Sequence, residues 1–130
     1  MIYVSKKRDV YLGTIPKHTD ILKDMPNISV KDRSLRAKKL LTQLEKATNE
    51  LKTYSPSLSM QTAEEREVAF AWKEYILKAM ACRVEELKIL SSNRELTKDD
   101  LEEMIGYDNK HLAYYNEMLK QEEKLDAFIK

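Results

Sequence analysis

Chemistry in this chain would have to start from histidine, cysteine or closely spaced carboxylates, and it has few of them. There are two histidines, His18 and His111, and one cysteine, Cys82. Asp108 and His111 stand three apart, a spacing at which a carboxylate and an imidazole on one helix face can share a metal ion. Di-metal carboxylate bundles, however, need two Glu-x-x-His pairs and two further inward-facing Glu. Here there is one approximate pair, with Asp in place of Glu. It reads as a polar interruption of a helical stripe, and no metal or other cofactor is expected. Periodicity puts Asp108 on the apolar side of its helix, so its burial calls for a partner such as Arg83, Arg36 or a tyrosine hydroxyl.

Cys82 lies among Met80, Ala81 and Val84 and reads as a small buried hydrophobe rather than a nucleophile. Glu64-Glu65 and Glu85-Glu86 are adjacent in sequence and cannot face each other across a helix. Two isolated glycines, Gly13 and Gly106, exclude Gly-rich phosphate loops and dinucleotide fingerprints. No catalytic residues are expected, and the chain reads as a non-enzyme.

What remains is surface that binds. The stretch from Val68 to Leu90 is apolar at 16 of 23 positions and includes the only tryptophan, Trp72. Advancing about 100° per residue resolves it into two stripes. The wide one carries Val68, Trp72, Tyr75, Ile76, Ala79, Met80, Leu87 and Leu90. Arg83 and Glu86 interrupt it near its C-terminal end, where burial is expected to fade. A narrower stripe on the other side holds Phe70, Leu77, Ala81 and Val84, three of them at intervals of seven. Tyr107 and Tyr114, also seven apart, sit on the flank of a later helix. These six residues, from Phe70 to Tyr114, are the candidate protein-interaction surface.

The elements that must hold these residues follow from caps and periodicity. Leu40, Leu44, Ala47, Leu51 and Tyr54 alternate steps of four and three, which predicts a one-sided amphipathic helix over about 31–54 behind Ser29 and Asp32. Thr62 and Glu65 open a second helix in capping-box spacing, about 62–90. Thr97, with Asp99 and Asp100 in the first turn, opens a third, about 97–129, whose expected stripe is Leu101, Met104, Ile105, Leu112, Tyr115, Met118 and Leu119. That stripe keeps its phase across Gly106, so one continuous helix is predicted there.

Residues 1–28 read differently. Ile2-Tyr3-Val4 and Val10-Tyr11-Leu12 are β-prone triplets that suggest an extended arm or a hairpin. Pro16 can open a short helical turn as far as Asp24, which Pro26 ends. Charge divides along the same line. Residues 1–40 hold ten Lys/Arg against four Asp/Glu, while residues 41–130 hold 13 against 18. A basic arm over a mildly acidic body accounts for this. Lys6, Lys7, Arg8 and Tyr11 interleave cations with an aromatic, the one nucleic-acid signal in the chain.

The expected architecture is therefore all-α: a three-helix antiparallel bundle over residues 29–130 with long second and third helices, preceded by a basic, partly extended arm over residues 1–28. No signal-peptide core or bilayer-length apolar run is seen, so a soluble cytoplasmic protein is expected. The functional reading is a non-catalytic helical adaptor, inhibitor or assembly component that self-associates through the second stripe of its central helix. Such a protein fits a viral or mobile-element origin. Nucleic-acid binding through the N-terminal third is the alternative.

Overall fold

The computed structural model describes residues 14–53 and 62–128, with only the backbone described at 14–16. It contains α1 (Thr14–Asp24), a 3-10 turn (Met25–Asn27), α2 (Val30–Thr53), α3 (Ala63–Leu90) and α4 (Lys98–Phe128). The described residues contain no strand, and no helix among them is long and apolar enough to cross a membrane.

Caps fix where the long helices begin. Ser29 Oγ accepts from the Asp32 amide at 3.1 Å, and Thr62 Oγ1 accepts from the Glu65 amide at 3.1 Å. At α4 the cap is reciprocal: Thr97 Oγ1 accepts from the Asp100 amide, and Asp100 accepts from the Thr97 amide at 2.8 Å. Each cap satisfies an amide that has no partner within its helix. Arg94 pairs with Asp100 and is the main reason that its carboxyl is held well below the usual range.

α3 is the central helix, packed against α2 on one side and more extensively against α4 on the other. Arg33 meets Leu90 at one end of the α2–α3 pair and Lys73 meets Lys52 at the other, so those helices run antiparallel. Arg83 meets Asp108, and His111 meets Ala79, which makes α3 and α4 antiparallel too. The core is built from Leu40, Leu44, Ala47 and Leu51 of α2, Trp72, Ile76, Ala79 and Leu87 of α3, and Met104, Met118 and Leu125 of α4.

Three expectations need correction. First, the bundle has four helices, and residues 14–24 are helical rather than part of an extended arm. α1 reaches Asp24 and buries Ile21 and His18. Pro16 falls in its first turn, where a missing amide costs nothing. Residues 1–13, including both β-prone triplets, lie outside the described residues. Second, burial does not fade at the C-terminal end of α3: Arg83 and Glu86 are only 4% and 1% exposed. Third, Leu101, Ile105 and Leu112 of the predicted α4 stripe face solvent, Ile105 at 61% exposure. The seam that α4 buries is Met104, His111, Met118 and Leu125, seven apart throughout, with a histidine in one of the core positions.

The turn between α3 and α4 is held from a distance by Arg33, whose side chain is buried. Its Nε donates to the Leu90 carbonyl at 2.9 Å, and its Nη2 donates to the carbonyls of Ser92 and, at 2.8 Å, Arg94. Ser34 Oγ donates to the Ser91 carbonyl at 2.6 Å. Helix C-terminal carbonyls lack intrahelical partners, and a cation there also meets the negative end of the helix dipole. Replacing Arg33 by Met leaves several carbonyls unsatisfied. The expected loss is about 2–4 kcal/mol, read as a lower urea midpoint at unchanged slope.

α4 is continuous through Gly106, as its stripe predicted. A Cβ at Gly106 would have no neighbour within 4 Å, and the backbone there is not at positive φ. Gly106→Ala is therefore expected to stabilise the protein by about 0.5–1 kcal/mol, seen as a higher thermal midpoint.

Candidate functional site

The most concentrated chemistry lies where α1, α3 and α4 meet. One turn of α3 supplies Arg83 and Glu86, whose Nη1 and Oε2 are 2.6 Å apart. α1 adds His18, and its Nε2 lies 3.5 Å from the same Glu86 oxygen. Arg83 Nη1 is 3.0 Å from His18 Nδ1 and 3.3 Å from His18 Nε2. An atom nearly equidistant from both ring nitrogens cannot lie in the ring plane without overlapping Cε1, so the guanidinium approaches the imidazole face. From α4, Asp108 Oδ1 reaches Arg83 Nη1 at 3.4 Å, with the Asp108 side chain 49% exposed. The partner that sequence periodicity demanded for Asp108 is thus Arg83.

His111 takes a different partner. Its Nδ1 lies 3.4 Å from the Ala79 carbonyl, which can only accept, so that nitrogen carries the hydrogen. Its ring stacks against Tyr115 at 5.9 Å. Asp108 and His111 therefore do not converge on a shared ligand. Among the described residues no three His, Cys, Asp or Glu side chains are grouped to hold a metal.

Burial sets the charge states. Desolvation, aided by Arg83 and His111, lowers His18 to about 3. Desolvation and Arg83 lower His111 to about 4, against the pull of the Ala79 carbonyl and Asp108. Burial pushes Glu86 up to about 7, outweighing the opposing pull of Arg83. Near neutral pH both imidazoles are uncharged, and Arg83 has Asp108 as its ionised partner with Glu86 poised at its midpoint.

This cluster lies at the polar end of a groove of about 480 Å³ between α1 and α4. Leu22, Leu101, Met104 and Ile105 form its apolar walls. Sequence reading did not find it. The available signal was a charged pair at core phase in α3, together with a histidine three residues before Ile21.

The predicted interaction residues lie elsewhere, mostly on the outer faces of α3 and α4. Phe70 is 48% exposed and Ala81 faces solvent, whereas Leu77 and Val84 are partly buried against the core. Ala81, Tyr107 and Tyr114 share a shallow groove of about 260 Å³ with Lys78, Cys82, Glu85 and Lys110. Lys78 Nζ lies 5.7 Å from the Tyr114 ring centroid and Lys110 Nζ 5.8 Å from that of Tyr107, a cation–π spacing. Burial pushes the Cys82 thiol up from its ordinary value, away from the reactive thiolate. Lys6, Lys7, Arg8 and Tyr11 lie outside the described residues.

No protein-family model, curated protein or solved structure matches this chain. The site is therefore read from its own geometry.

The shifts in the cluster make stability depend on pH. Both histidines are depressed, so their contribution is complete above about 6.5 and is lost as pH falls toward 4 and 3. Glu86 is raised, so its contribution is complete below 4.5 and is lost as pH rises to about 7. Between pH 5 and 6 two imidazoles outweigh one carboxyl by about one proton, which corresponds to about 1.4 kcal/mol per pH unit. Stability should therefore be greatest near neutrality and fall on acidification from pH 6.5 to 5. In His18→Gln/His111→Gln the slope should vanish or reverse, leaving Glu86 alone. Urea titrations at three pH values read it, and an unchanged slope in the double variant would locate the pH dependence elsewhere.

Proposed function

We propose that this chain is a non-catalytic helical protein–protein interaction module that self-associates through the outer face of α3. The observation that carries this reading is Phe70, a large aromatic at 48% exposure on the central helix, in line with Ala81 and adjoined by a groove bearing Tyr107 and Tyr114. Aromatic side chains anchored amid a charged rim are typical of interface centres, because they bury large area at low entropic cost.

The rim suits a second copy of the same chain. Glu74 pairs with Lys78 at 3.3 Å and Lys88 with Glu85 at 3.2 Å, so both signs of charge run along the exposed side of α3. A mixed rim lets two identical faces meet about a two-fold axis without like-charge repulsion. At about 1.5 Å per residue, the 28 residues of α3 extend to about 42 Å, long enough for a two-helix contact.

Leu77 and Val84 support the core from their partly buried positions, so the face is tested at its fully exposed members. Phe70→Glu combined with Ala81→Glu should reduce the mass measured by light scattering to that of one chain. Helical circular dichroism and the urea midpoint should stay unchanged. If wild type is already a single chain, or the variant keeps the wild-type mass, the self-association reading fails.

A further inference from the structure

Arg83 holds more donors than the protein uses. Its contacts with Glu86, His18 and Asp108 are all made by Nη1. Its Nε is buried and has no hydrogen-bond partner among the described residues. In a guanidinium the Nε and Nη2 hydrogens point the same way, forming the edge that grips a carboxylate with two parallel bonds. Arg83 also lines the α1–α4 groove, whose walls are Leu22, Leu101, Met104 and Ile105. Its volume of about 480 Å³ is within the range of small-molecule sites, and a mainly apolar lining with a few convergent polar groups is their usual composition.

We propose that this groove binds a small monocarboxylate with an apolar body, the carboxylate on the Nε/Nη2 edge of Arg83 and the body against Leu101 and Ile105. The charge inventory selects the head group. Asp108 already stands 3.4 Å from Arg83, so a dianion such as a phosphate monoester would set a second uncompensated charge beside it. An ammonium head would meet the guanidinium directly, and a neutral head would leave the Nε donor without an anionic acceptor.

One added negative charge can be offset locally. Glu86 faces His18 from α1, its neighbour Arg83 on α3, and Asp108 from α4, with His111 on the same helix. The one buried charge of α2, Arg33, is committed to the carbonyls of the α3–α4 turn. With its carboxyl pushed up to about 7, Glu86 is neutral at pH 6 and ionised at pH 8. An arriving carboxylate therefore prefers the lower pH, by about tenfold in affinity over that interval. This inference is independent of self-association through α3, since the two surfaces share no residue.

The test is calorimetric titration of the full chain with decanoate, decan-1-ol and decylamine below their micelle concentrations, at pH 6 and pH 8. Decanoate should bind one to one, at least about tenfold tighter than decan-1-ol, and about tenfold more weakly at pH 8 than at pH 6. Decylamine should not bind. Ile105→Glu, a change at an exposed wall residue, should abolish decanoate binding with the circular dichroism intact. Arg83→Lys keeps the charge but loses the fork, and should weaken binding by about tenfold or more. If Arg83→Lys fails to fold, the head-group series on wild type decides alone. Equal binding of decanoate and decan-1-ol, no binding of decanoate, or undiminished binding to Ile105→Glu would each overturn the proposal.

Discussion

A guanidinium buried between three helices constrains everything around it. Arg83 sits on the central helix at a position whose phase belongs to the core, with almost no access to water. Moving an ion of this kind from water into a protein interior costs several kcal/mol unless other groups replace its hydration. Glu86 lies one turn on, Asp108 comes from α4, and the face of His18 comes from α1. Each of these helices is thereby fixed in rotation about its own axis. The net contribution of such a cluster to stability is small, since an apolar replacement of similar shape would serve about as well. Its effect is to specify one arrangement of α1 and α4 on α3.

The two buried arginines solve the same problem differently. Arg83 is matched by carboxylates. Arg33 has no carboxylate beside it among the described residues and is matched by the carbonyls at the end of α3 and in the following turn. Those carbonyls carry the partial negative charge of a helix terminus, and a planar fork can address several at once. One arginine thus orients side chains in the bundle interior, and the other ties α2 to the turn that reverses the chain between α3 and α4.

Much of the fold was legible because its signals are local. Ser29, Thr62 and Thr97 each marked a helix start, and each accepts the bond its cap requires. The four-three spacing of Leu40, Leu44, Ala47 and Leu51 correctly named the buried side of α2. α1 was harder to read because one of its two buried anchors is a histidine, which gives the stripe a polar gap. The candidate site was illegible for a related reason. A charge at core phase reads as the end of burial unless its partner is known, and the partners of Arg83 come from 65 residues earlier and 25 residues later in the chain. Only the tertiary fold joins them.

The rotation of α4 shows how the polar cluster and the apolar groove arise together. Leu101, Ile105 and Leu112 are offset by about 100°, one residue step, from the buried seam of Met104, His111, Met118 and Leu125. Turning the helix to bury those three would gain apolar contact. It would also carry His111 away from the Ala79 carbonyl and Asp108 away from Arg83. An unmatched guanidinium in the interior costs more than the burial of one leucine returns. The helix therefore settles with its charges matched and an apolar edge left beside α1. That edge, with Leu22 across from it, forms the wall of the groove, and Arg83 lies at its polar end. The exposed apolar surface and the buried charge are two consequences of one helix orientation.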